Sequence, residues 1–199
     1  MLNLPNILTI LRILVIPFLM LVFYLPVQWG HSAAAIIFAI AAFTDWLDGY
    51  LARSLKQATK FGAFLDPVAD KMMVCISLVM IAAEQQFQVV YWHNVSYIIP
   101  AFMITIPAAI IVSREIIVSA LREWMAEVGK RTSVAVSHLG KVKTSMQMLA
   151  LVILLYSSPS VHPLIIILGY ITLYISAFLT IWTMVIYLKT AWPEFQIDS

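Results

Sequence analysis

Residues 33–51 read AAAIIFAIAAFTDWLDGYL. The run is about long enough to cross a bilayer as a helix, which takes about 20 apolar residues, yet it ends in two carboxylates, Asp45 and Asp48. Ionised groups in or beside hydrocarbon are costly, so each needs a partner or a task. One stretch therefore sets the fold class and points to a site.

Five further apolar runs flank it: Ile7–Leu25 with Pro17 as an expected kink, Phe64–Ala83, Tyr97–Met125, Val142–Ser157 and Pro163–Leu188. Of the 199 residues, 62% are hydrophobic and 11% charged, unlike a soluble domain of this size. Continuous runs, rather than alternating ten-residue segments, exclude a transmembrane barrel. The predicted fold class is all-α: a polytopic membrane protein with six transmembrane helices, forming one domain over residues 1–199. With no internal repeat, linker or low-complexity segment, nothing divides it. The N-terminus lacks the pattern of a removable signal peptide. The single cysteine, Cys75, cannot form an internal disulfide and reads as a small packing residue.

Charge orients the spans. The connections near 25–32, 84–96 and 158–162 contain no Lys or Arg, whereas Arg53, Lys56, Lys60, Lys130, Arg131, Lys141 and Lys143 cluster at the other two, and Lys189 follows the last span. The positive-inside rule then places both termini in the cytoplasm, as expected for a bacterial inner-membrane protein. His31, His93 and His162 fall on the opposite side and read as wet loop residues. Trp29, Tyr91, Trp92 and Trp192 read as interfacial anchors. Membrane lipids are expected partners; nucleic acid is not.

The second span ends with Asp45 and Asp48; the third opens with Asp66 and Asp70. Residues three or four apart share a helix face, so each pair projects together, and a short connection lets all four converge. Four clustered carboxylates repel one another unless cations intervene. Two divalent ions, Mg²⁺ or Mn²⁺, suit oxygen ligands and can clamp a phosphoryl group during in-line displacement. Gly49 and Ala52 share the face of the first pair and leave room for a ligand. Arg53 offers a fork for phosphate, Gly62 permits close helix approach, and Pro67 is tolerable in a first turn. Two helically spaced pairs with an Arg between them are more than helix caps.

The stretch Asp45–Asp70, DWLDGYLARSLKQATKFGAFLDPVAD, resembles the signature of the CDP-alcohol phosphatidyltransferase family at Asp45, Asp48, Gly49, Ala52, Arg53, Gly62, Asp66 and Asp70. The resemblance implies that Asp45, Asp48 and Asp66 bind metal, and that Asp70 touches metal and acts as the base. It implies that Gly49 and Arg53 contact the CDP-lipid, with Thr59 and the backbone near Thr9, and that the protein is a homodimer. LNLPNILTILRI at the N-terminus, Ser113–Met125 and Gly140–Gln147 further resemble the branch of the family that takes glycerol 3-phosphate.

A second set of residues bears on the acceptor. Arg114 lies about 17 residues beyond Tyr97, roughly 25 Å along a helix, near the cytoplasmic edge. Arg122 is two turns further, and Lys141 and Lys143 begin the fifth span on the same side. Together they form a cationic pocket beside the acids, as a phosphorylated acceptor such as glycerol 3-phosphate requires. Lys130 and Arg131 read as topology signals, and Glu115 as a partner for a basic neighbour. The expected reaction is direct phosphatidyl transfer from CDP-diacylglycerol to glycerol 3-phosphate, with CMP leaving. Rivals are another acceptor (phosphatidylglycerol, serine or inositol phosphate), an intramembrane prenyltransferase, and a cation transporter. The second rival is weakened because no Asp lies between Asp70 and Asp198. The third is weakened because the acids lie toward one face, without repeated halves.

Overall fold

The computed structural model describes residues 3–54, 59–84, 89–92, 95–129, 138–158 and 161–195. Each apolar run folds as a helix: α1 (Leu4–Phe23), α2 (Gly30–Ser54), α3 (Lys60–Ala83), α4 (Phe102–Glu127), α5 (His138–Tyr156) and α6 (Pro163–Phe195). Stretches in α1, α4 and α6, namely Asn6–Phe23, Phe102–Glu127 and Pro163–Pro193, are long and apolar enough to cross a membrane. Gly30–Asp45 and Val142–Tyr156 are shorter apolar helices. Here polar and charged residues interrupt the apolar stretch: α2 acquires Asp45 and Asp48, and α5 carries Lys141 and Lys143 in its first two turns.

The helix boundaries correct three expectations. α3 starts six residues before Asp66, because Thr59 caps it by accepting a hydrogen bond from the Gly62 amide at 3.0 Å. Pro67 therefore sits inside the helix, not in its first turn, and removes one backbone donor there. Pro17 likewise lies within α1 without ending it. The third change precedes α4. Val89–Trp92 and Val95–Ile98 form an antiparallel hairpin, β1 and β2, with Val89 opposite Ile98. Valines, aromatics and an isoleucine suit a pleated surface. α4 thus begins at Phe102 rather than Tyr97, and Arg114 lies 12 residues into it, roughly 18 Å at 1.5 Å per residue.

The buried core runs through all six helices. Leu19 and Phe23 of α1 meet Phe38 of α2, Leu78 and Ile81 of α3, Ile104 and Ile111 of α4, Leu151 and Leu154 of α5, and Leu173 of α6. Phe18, Ile40, Phe43, Phe64, Val79, Ile116 and Phe178 face outward, as a lipid-facing surface permits. Cys75 is a half-buried free thiol on α3. His31, at the start of α2, packs edge-on against Phe23 at 4.7 Å between ring centroids, and His162 accepts a hydrogen bond from the Leu164 amide just before α6. Trp29 and Trp192 are exposed. His93, Lys130 and Arg131 lie outside the described residues.

α5 and α6 make the most extensive helix–helix contact among the described residues. Small residues let membrane helices approach, since lipid gives no hydrophobic drive for helix association. Gly169 is the tight point: a Cβ there would stand 2.7 Å from Leu154 Cδ2 and 3.2 Å from Ile153 Cγ2. Gly169→Val is expected to push α5 and α6 apart and cost about 1–3 kcal/mol. Its melting temperature in detergent should fall by several degrees; an unchanged value would show that this contact yields freely.

Candidate active site

α1 carries Asn6, Thr9 and Arg12 on one face, three residues apart in an otherwise apolar helix. All three are buried, at 2%, 0% and 2% exposure. Each meets a polar residue on a neighbouring helix. The Asn6 amide donates to Thr59 Oγ1 at 2.9 Å, which locks the start of α3. Gly62 makes this possible, because a Cβ at that position would lie 2.5 Å from Asn6 Oδ1. One turn on, Thr9 Oγ1 donates to Asp66 at 2.6 Å. A further turn on, Arg12 Nη1 donates to Asp45 Oδ1 at 2.5 Å and to Asp70 Oδ1 at 2.6 Å. α1 thus holds three of the four predicted acids.

The site has a second, basic half. Arg114 of α4 is buried, donating to Glu115 at 3.2 Å and to Thr183 of α6 at 3.5 Å. Lys143 of α5, also buried, donates to the same Glu115 oxygen at 2.5 Å. Glu115 therefore pairs with basic neighbours, as read from the sequence. Arg122 donates to the Tyr187 hydroxyl at 3.2 Å. The guanidinium carbons of Arg114 and Arg122 stand 5.6 and 5.3 Å from the centroid of the Tyr187 ring. Cations near an aromatic face are stabilised by its quadrupole. Tyr187 therefore steadies two like charges that would otherwise repel.

Both halves open into one cavity of about 320 Å³. Asp45, Asp66 and Asp70 line one part; Arg114, Glu115, Arg122, Lys143 and Tyr187 line another. The distant acidic and basic motifs of the chain are thus neighbours in space. Thr9, Thr59 and Gly62 are not among the cavity's lining; they fix α1 against α3, and Thr9 anchors Asp66. The side chains of Asp48, Ala52, Arg53 and Lys141, and the surroundings of Gly49, lie outside the described residues.

The donor chemistry suits a hard cation. Two carboxylates meet at a single nitrogen of Arg12, so positive charge is already held where Asp45 and Asp70 converge, and carboxylate oxygens are the ligands Mg²⁺ and Mn²⁺ prefer. Among the described residues, no group of three or more His, Cys, Asp or Glu side chains is close enough to share an ion. Asp45, Asp66 and Asp70 are the described carboxylates that line the cavity.

Arg12, Asn6, Tyr187 and Gln147 were not predicted as site residues. The signal for the first two was present: three polar residues at a spacing of three in an apolar run form a stripe that must be buried against other polar groups. Tyr187 had no such signal, since aromatics are common throughout α6.

The model of the family described as CDP-alcohol phosphatidyltransferase matches residues 2–182. The chain is 52% identical over 190 residues to a protein of Sodalis glossinidius, covering 96% of this chain and 95% of the relative. It is 50% identical over 198 residues to one of Pseudomonas fluorescens, covering 99% and 94%. It is 52% identical over 193 residues to one of Yersinia enterocolitica, covering 97% of each. All three relatives are named CDP-diacylglycerol--glycerol-3-phosphate 3-phosphatidyltransferase. With a family match over nine-tenths of its length and relatives half identical from end to end, the chain belongs to the CDP-alcohol phosphatidyltransferase family.

Proposed function

We propose that this membrane enzyme transfers the phosphatidyl group of CDP-diacylglycerol to glycerol 3-phosphate, releasing CMP, as the names of its relatives describe for them. The observation that carries the reading is the one cavity in which three carboxylates face the buried Arg114 and Lys143 and the exposed Arg122. A phosphorylated acceptor needs the cluster, and a diphosphate donor needs cations at the acids.

Arg114, Lys143 and Arg122 hold the phosphate of the acceptor through charge-assisted hydrogen bonds. This turns its free C1 hydroxyl toward Asp70. Asp70, oriented by Arg12, takes the hydroxyl proton. The C1 oxygen attacks the phosphorus next to diacylglycerol, and the bond from that phosphorus to the oxygen bridging to CMP breaks. Asp45, Asp48 and Asp66, with Asp70, would hold two divalent ions, Mg²⁺ or Mn²⁺. These offset diphosphate charge and stabilise the leaving group when bound. Arg53, Gly49 and Ala52 line the CDP-lipid's approach, with Thr9, Thr59 and Gly62 fixing the helices beside it. Lys141 extends the basic cluster. Positioning and electrostatics supply the catalysis, and no covalent enzyme intermediate is needed.

The same reading makes the chain a single six-span domain of the bacterial inner membrane, with both termini and the site facing the cytoplasm. The Lys and Arg residues at the connections after α2 and α4 support it. A homodimer follows from the family resemblance.

Purified protein supplied with CDP-diacylglycerol, Mg²⁺ or Mn²⁺ and a panel of acceptors should release CMP with glycerol 3-phosphate and metal; release only with serine, inositol phosphate or phosphatidylglycerol would replace the acceptor. Asp70→Asn should lower turnover by about 10²–10⁴-fold while the protein elutes as a folded species; near-normal turnover would remove Asp70 from the role of base. Arg114→Ala should raise the KM for glycerol 3-phosphate far more than that for the CDP-lipid, and equal effects would make Arg114 structural. Removing Arg12 is costly because Asp45 and Asp70 lose their counter-charge, but with these carboxylates 33% and 41% exposed the loss stays below the about 3–5 kcal/mol of a fully buried pair. Arg12→Gln should therefore lower the melting temperature in EDTA, with Mg²⁺ or Mn²⁺ restoring part of the loss. Identical melting with and without metal would argue against ions at these acids.

A further inference from the structure

α5 presents Gly140, Lys143, Thr144 and Gln147 to the cavity, at the three- and four-residue spacing of one helix face. The duties of Lys143 and Thr144 are visible: Lys143 donates to Glu115, and Thr144 donates to the Gly140 carbonyl at 2.9 Å. Gln147 has no visible duty. It is 2% exposed, lines the cavity, and its Oε1 finds no hydrogen-bond partner among the described residues. Buried polar groups are almost always paired, and an orphaned amide carbonyl loses its hydration with no return. A buried amide on a cavity wall is therefore a group awaiting a ligand.

The chemistry of an amide narrows what that ligand group is. Oε1 accepts and Nε2 donates. Phosphate and diphosphate oxygens only accept, so they would leave Oε1 orphaned. A hydroxyl donates and accepts. Gln147 stands one turn beyond Lys143, about 6 Å along the helix axis, on the same cavity wall. Under the proposed function the phosphate sits with Lys143 and Arg114, and the C1 hydroxyl must reach Asp70 to react. One hydroxyl of the acceptor remains.

We infer that Gln147 holds the C2 hydroxyl of the acceptor and so sets specificity for a polyol phosphate over a simple hydroxyalkyl phosphate. The inference rests on the proposed function. Gln147 does not touch the reacting atoms; it fixes the carbon chain between the phosphate and the attacking oxygen.

The test compares glycerol 3-phosphate with 3-hydroxypropyl phosphate, which keeps the phosphate and the attacking primary hydroxyl but lacks the C2 hydroxyl. CMP release is measured in the full-length protein with CDP-diacylglycerol and metal. The unmodified chain should favour glycerol 3-phosphate in kcat/KM by roughly 10- to 100-fold, the range expected when a buried polar group loses its partner. In Gln147→Met, which is similar in volume and has no amide, that ratio should fall to within about threefold of unity. The KM for the CDP-lipid should stay within the same margin. If Gln147→Met does not purify as a folded species, Gln147→Asn, which withdraws the amide by one methylene, carries the same comparison. Undiminished preference in the variant would mean that the hydroxyl is read elsewhere. Equal use of both acceptors by the unmodified chain would show that no residue reads it. Either result overturns the inference while leaving the proposed function standing. An unmodified, folded chain that is silent with glycerol 3-phosphate would instead overturn the function, and the inference with it.

Discussion

The guanidinium of Arg12 joins Asp45 of α2 to Asp70 of α3 through one nitrogen, and α1 supplies it from a position 1% exposed at the side chain. A buried cation with two carboxylate partners is tolerable only while both remain in place. The ends of α2 and α3 are thus held by a charge requirement, not by apolar packing alone. Two further contacts extend the constraint along the same face: Thr9 on Asp66, and Asn6 on the cap of α3. The packed core of Leu19, Phe23, Phe38, Leu78 and Ile81 surrounds these helices deeper in the bundle. It gives stability, but it does not select the rotation of α1. The polar stripe does.

The basic half is built by the same rule with the signs exchanged. Glu115 is a single carboxylate serving Arg114 and Lys143, and Tyr187 supplies an aromatic face to Arg114 and Arg122. A second small cluster ties these parts together, with Val118, Leu121 and Met125 of α4 packed against Tyr187 and Ala191 of α6. Arg12 serves Asp45 and Asp70 in one half, with Asp66 held by Thr9, and Glu115 serves Arg114 and Lys143 in the other, with Arg122 held by Tyr187.

The sequence disclosed the acids most clearly, because carboxylates at helical spacing beside an apolar run have no ordinary explanation. It also disclosed six helices, although α2, α3 and α5 are less purely apolar than α1, α4 and α6 for the same reason that makes them interesting. What it concealed was partnership. Nothing in the string around Asp45 names Arg12, 33 positions earlier, and nothing around Arg122 names Tyr187, 65 positions later. Gln147 was hidden differently, since an amide at the start of an apolar span reads as interfacial until burial shows that water cannot reach it. The hairpin before α4 was missed because Val, Tyr and Trp serve equally well at a membrane interface and in a strand.

The stripe on α1 has a consequence for how this chain can vary. Each helical residue turns the next by about 100°, so Asn6, Thr9 and Arg12 are read as a key with three teeth. Deleting one residue between Thr9 and Arg12 would bring the arginine to the place now held by Leu11, which is 54% exposed on the outer surface of the bundle. Side chains could drift widely along the lipid-facing side of this helix, where only apolarity is asked of them. Its length could not: between residues 6 and 12 the segment behaves as a ruler, and a change of a single unit would leave two acids without their cation and a cation facing lipid.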